Sequence, residues 1–151
     1  MRKHFFTSVT MLGFLLTLAV ASVHAQSSTK IEVSIPFDFT VGNSNLHPGK
    51  YTVTARGTAA LMIRSEDGGS TAMRLTNAIH NSEPSAKTKL VFRQYGERYF
   101  LSEVWTVGEN SGRQILQSRQ ELALERNLAT MASKSNLTRA GNRRVEIFAA
   151  Q

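Results

Sequence analysis

The chain has 151 residues, 41% of them hydrophobic, no cysteine and a formal net charge of +7 at pH 7. This length suits one domain with its own core. The lack of cysteine excludes a disulfide-stapled scaffold and a thiolate metal site, so stability has to come from apolar packing.

The first element is a leader. Arg2 and Lys3 precede an apolar run from Val9 to Val20, and Val23-His24-Ala25 places small residues before a cleavage point. This layout predicts a secretory signal peptide over 1–25, cut after Ala25, and a single β-rich domain over 26–151. The run is about a dozen residues, short of the ~20 that span a bilayer. No cysteine follows it to carry a lipid, and no stable membrane insertion is expected after cleavage. The expected location is periplasmic or extracellular.

Ile31, Val33 and Ile35 then alternate with Glu32 and Ser34, the period of a half-buried strand. Pro36 lacks a ladder N–H and marks a bend or edge before Phe37, Phe39 and Val41. Gly42-Asn43-Ser44-Asn45 and Pro48-Gly49 supply turn chemistry, with Gly49 expected at a left-handed backbone angle. Leu46 and Tyr51 are expected to fold back over the sheet. Tyr51, Val53 and Ala55 give a further strand and Leu61, Met62 and Ile63 another. After the turn Ser65 to Ser70, the residues Met73, Leu75 and Ile79 give one more.

Leu90 to Phe92, the turn Tyr95-Gly96-Glu97 and the return strand Tyr99 to Val107 form the clearest hairpin. In a regular strand Tyr99, Leu101 and Trp105 share one face, and Phe100 and Val104 the other. A strand with bulk on both sides is central or lies beneath a helix. That helix is predicted over about 118–133. Ser118 and Glu121 form its capping box, and Leu124, Leu128 and Met131 its apolar stripe. Val145, Ile147 and Ala149 predict a final strand over about 143–149. The sum is a mainly β fold: an antiparallel β-sandwich or small barrel of about six to seven strands with one C-terminal α-helix.

Three stretches carry a resemblance: Ile35-Pro36-Phe37-Asp38-Phe39, Leu46-x-x-Gly49-x-Tyr51-Thr52-Val53, and Tyr95-Gly96-x-Arg98-Tyr99-Phe100-Leu101-x-x-Val104-Trp105. Together they resemble a family of small exported bacterial proteins of unknown function. The second is similar to the turn signature of immunoglobulin-like and transthyretin-like sandwiches. The resemblance spans Ile31 to Glu125 and implies an exported β-domain, with no catalytic residues to carry over. Where that family has Leu-Pro-Ala-Gly, this chain has Leu46-His47-Pro48-Gly49.

Chemistry is sparse. Beyond the leader the only histidines are His47 and His80, too isolated for a metal site, and the loop Ser65 to Ser70 lacks the alternating acids of a calcium loop. No G-x-S-x-G nucleophile motif occurs. Asp38 and Glu103 are the only carboxylates worth weighing as a pair. Glu103 is expected on the face of Tyr99, Leu101 and Trp105, bound by Arg93 or Arg98 or placed at a strand end on the rim. Arg93, Tyr95, Arg98 and Tyr99 imitate a single-strand-binding surface, but an exported protein meets little nucleic acid. Asn136-Leu137-Thr138 matters only where asparagine is glycosylated. Arg113, Arg119, Arg126, Lys134, Arg139, Arg143 and Arg144 outnumber Glu121, Glu125 and Glu146, leaving the C-terminal third basic.

The expectation is therefore an exported domain, not an enzyme and without a cofactor or metal. It would act as an envelope or extracellular interaction or structural module, its partner a protein or an anionic polymer. The alternative is a small apolar-ligand carrier with a pocket lined by Trp105, Tyr99 and Phe100. The candidate surface residues are Tyr99, Phe100, Trp105, Arg143 and Arg144.

Overall fold

The structure is a computed structural model that describes residues 30–135 and 143–149. The leader and the Asn136-Leu137-Thr138 sequon lie outside them. The strands are β1 (Lys30–Ile35), β2 (Phe39–Val41), β3 (Ser44–Leu46), β4 (Gly49–Arg56), β5 (Ala60–Ser65), β6 (Thr71–His80), β7 (Lys89–Tyr95), β8 (Arg98–Trp105), β9 (Ser111–Ile115) and β10 (Arg143–Phe148). The helix α1 (Arg119–Ser135) precedes β10.

The described residues are mainly β with one helix near the C-terminal end, and their ten strands form an open sheet, not a closed barrel. The expected strand count was lower because β3 (SNL) and β9 (SGRQI) carry too few apolar residues to register as strands. One layer runs β1–β4–β5–β6. The other runs β10–β7–β8, and β9 then joins β8 to the second half of β6. The ten-residue β6 thus belongs to both layers. Against the all-antiparallel expectation, β2 pairs with β8 in parallel, Phe39 beside Tyr99 and Thr40 beside Phe100.

Pro36 explains how the chain changes layer. β1 pairs with β4, whereas β2, just beyond the proline, pairs with β3 and β8. The two layers bury one shared core: Ile31, Val33, Ile35, Tyr51, Val53, Leu61 and Ile63 from one side, and Phe39, Val41, Leu46, Leu90, Phe92, Leu101, Val104 and Ile115 from the other. Phe92 is fully buried, and the edges of Phe37 and Phe39 meet it at centroid distances of 5.3 and 5.6 Å. Each such buried side chain contributes about 1.5–3 kcal/mol, and each aromatic pair roughly 0.5–1.5 kcal/mol more.

Two local expectations are corrected. Gly49 does not hold a left-handed angle; it is the first residue of β4, paired with Ile35. In this stretch the left-handed angle belongs to Gly42, with φ of 64°, in the turn between β2 and β3. A Cβ there would overlap the guanidinium of Arg74, whose Nε donates to the Val41 carbonyl at 3.1 Å.

The second correction concerns β8. Its ladder with β7 slips between Val91, opposite Glu103, and Phe92, opposite Leu101, so Ser102 is an extra residue. Such a bulge resets the alternation of faces. Tyr99, Leu101 and Val104 therefore face the core, while Phe100, Glu103 and Trp105 face the other way. Both faces of β8 are buried, as its sequence implied.

Candidate functional site

The outer face of the second layer carries the two buried carboxylates among the described residues, Glu103 and Glu121. Glu103, 9% exposed, accepts from Trp105 Nε1 at 2.9 Å and from Arg144 Nη2 at 2.8 Å. Its cation comes from β10, across β7, instead of from Arg93 or Arg98, because the Ser102 bulge turned Glu103 to this face. Arg98 instead lies over the Phe100 ring, 5.3 Å from its centroid.

A second network anchors α1. The Ser118 hydroxyl accepts the Glu121 N–H at 3.2 Å, one half of the expected capping box. The Glu121 carboxylate, 3% exposed, accepts from Arg93 Nε at 2.6 Å and from the Tyr95 hydroxyl at 3.4 Å. Burial, and next the charge of Glu121, push the Tyr95 hydroxyl above its ordinary pKa. Gln117 Nε2 donates to Tyr95 and to Glu125, at 3.2 and 3.1 Å. Past this first turn α1 drifts from the sheet: Leu124 and Leu128 are half-buried and Met131 is exposed. These carboxylates sit in arginine pairs whose removal would leave a buried charge, which is the pattern of a structural tie.

The five candidate surface residues do not assemble. Tyr99 stacks on Phe37 at 4.1 Å on the core side, whereas Phe100 and Trp105 lie on the helix side. Phe100 and Trp105 are 1% and 4% exposed, and Phe100 meets Tyr95 edge-on. Arg143 and Arg144 are both exposed, and Arg144 is tied to Glu103.

At one end of the sandwich the Tyr51 hydroxyl donates to the His47 carbonyl at 2.6 Å and Glu66 N donates to the Lys50 carbonyl at 2.9 Å. Leu46 and Tyr51 are both buried, as the loop reading required. Burial, then the charges of Asp67 and Asp38, raise the Tyr51 pKa. The Ser65 hydroxyl and the Gly69 N–H both donate to Asp67 and hold its carboxyl below its ordinary value. An open cleft of about 440 Å³ lies between these turns, lined by His47, Lys50, Glu66 and Asp67 among others. Among the described residues no group of three or more His, Asp or Glu side chains is placed to hold a metal ion.

The feature that sequence reasoning missed is on β6. Its apolar residues Met73 and Leu75 are 57% and 70% exposed, while Ala72 and Thr76 point into the core. The Thr76 hydroxyl is buried there without a hydrogen-bond partner among the described groups. Burial of the larger side chains would select the opposite orientation. Its cause is positional: Ala72 pairs with Ile63 over the core, and Arg74 reaches inward to Val41. Met62 pairs with Met73 on the same outer face, and Leu116, 55% exposed, follows Ile115, the partner of Thr76. The result is an apolar strip on the outside of the sandwich. No signal in the sequence separates it from a core-facing strand, since alternation gives two faces without saying which is inner.

Compared with known proteins, the chain matches no family model, no curated protein and no solved structure.

Proposed function

We propose that the protein is an exported, non-catalytic β-domain that acts as an interaction module of the cell envelope or the extracellular space. The observation that carries this reading is the orientation of β6: Met73 and Leu75 face solvent while Ala72 and an unpartnered Thr76 hydroxyl face the core. Exposed apolar clusters on an otherwise well-buried domain mark contact surfaces. The basic-apolar-small leader and the resemblance to small exported proteins support the location. The pairing of Glu103 with Arg144 and of Glu121 with Arg93 supports structural roles for the two buried carboxylates. The carrier alternative draws no support from the fold, because Tyr99 lies on the opposite face of β8 from Phe100 and Trp105.

The test has two parts. Intact-mass measurement on the protein outside the cytoplasm should give a chain beginning at Gln26. Crosslinking in the envelope fraction, with a photoreactive residue at position 75, should trap a partner that the same probe at the exposed Asn43 does not. Retention of Met1 to Ala25, or equal labelling from both positions, would sink the proposal.

A further inference from the structure

The outer face of the first layer can be read row by row across the ladders. One row is Arg56–Ala60–Leu75, the next Lys30–Thr54–Met62–Met73, and the next Glu32–Thr52–Arg64–Thr71. The methionines therefore lie between a row bearing Arg56 and a row bearing Arg64. Both arginines are exposed, and neither takes part in an ion pair among the described residues. Arg56 instead rests on the Met62 sulfur at 3.9 Å. The acids near this face are already engaged: Glu32 with Lys30 at 2.6 Å, Glu66 with Lys50 at 3.9 Å.

Resting on the interaction reading above, we infer that this face docks on an anionic lipid surface, with Met62, Met73 and Leu75 entering the headgroup layer and Arg56 and Arg64 on phosphates. Charge decides the occupant. A second copy packed face to face would set unpaired arginines against each other, while a phosphate-bearing surface neutralises them. A polysaccharide supplies anions but no apolar partner for the methionines and Leu75. A cleft of about 250 Å³ on this face lies toward Lys30, Glu32 and Lys50, away from Met73 and Leu75. An apolar centre with long cationic side chains beside it suits an interface where the stems stay apolar and the heads reach phosphate.

The test is co-sedimentation with vesicles of phosphatidylglycerol and phosphatidylethanolamine, beside vesicles of phosphatidylcholine alone. It uses the full chain and a chain from Gln26, which keeps every described element. Binding of the Gln26 chain should require phosphatidylglycerol and weaken with salt. Arg56→Gln and Arg64→Gln should each reduce it about fivefold, and Met73→Ser with Leu75→Ser about tenfold or more. These exposed substitutions should leave the melting temperature unchanged, which separates lost docking from lost folding. Absent vesicle binding, or binding indifferent to both sets of variants, overturns the inference. Loss of the position-75 crosslink to an envelope protein in Met73→Ser, with no vesicle binding, also overturns it but leaves the interaction module intact.

Discussion

Gly112 lies against the indole of Trp105: a Cβ built on this glycine would stand 2.7 Å from Trp105 Cδ2 and Cε3. The two residues are paired across β8 and β9, so the ring covers the neighbouring backbone instead of a side chain. The same indole donates to Glu103, which receives Arg144 from β10. One missing side chain on β9 thus fixes a ring, a carboxylate and the last strand.

Gly112→Ala is expected to destabilise the domain by about 1–3 kcal/mol through overpacking. Trp105 is the only tryptophan, so its emission should shift in the folded variant. Thermal melting with fluorescence detection checks both, and an unchanged melt with unchanged emission would refute the close approach.

Gly42 should be far more sensitive to substitution than Gly49. Gly42→Ala places a side chain at positive φ and drives Arg74 off the Val41 carbonyl, costing roughly 1–3 kcal/mol. At Gly49 a Cβ meets only Tyr51 Cε2, at 3.8 Å, so Gly49→Ala should stay within about 0.5 kcal/mol of the parent. Urea unfolding of the pair gives the ranking.

Alkaline stability should depend on Tyr51. An unfolded tyrosine ionises near pH 10, and burial raises the folded value above that. The stabilisation from this shift is present below the unfolded pKa and is lost as pH rises through the folded one. Tyr51→Phe should cost about 1 kcal/mol near pH 7, the hydrogen bond to His47, yet reduce the fall in stability above about pH 10. Tyr95, also raised, should keep part of that fall in the variant. Urea midpoints from pH 7 to 11 report both effects.

Thr76→Val should stabilise the domain by about 1 kcal/mol. The threonine hydroxyl is buried and unpartnered, and valine replaces it with a methyl of similar shape. A lower melting temperature would mean that the hydroxyl has a partner, such as a buried water.

Much of the framework was legible because local chemistry dictates it. The alternation from Ile31 to Ile35, the bend at Pro36, the turn at Gly96 and the cap at Ser118 each act within a few residues. What escaped depends on distant partners. Nothing local marks Ser102 as an extra residue, yet that bulge reverses Glu103 and Trp105 and gives the carboxylate to Arg144. The face of β6 is likewise set by Ile63 and Val41. Glu121 was read correctly as a helix-start residue, but Arg93 on β7 takes the carboxylate that local reasoning assigned to Ser118.

The parallel pairing of β2 with β8 also bears on how the chain assembles. Phe39 meets Tyr99 roughly sixty residues further along, a long loop to close before any contact rewards it. Without β8, β2 and β3 are a hairpin of two three-residue strands with no other ladder partner, far too small to persist alone. Phe39 packs edge-on against the nearby Tyr51, 5.1 Å between centroids, but its strand partner Tyr99 comes much later in the chain. Completion of the core waits on a late strand reaching back to an early one, a non-local pairing of the kind that slows folding.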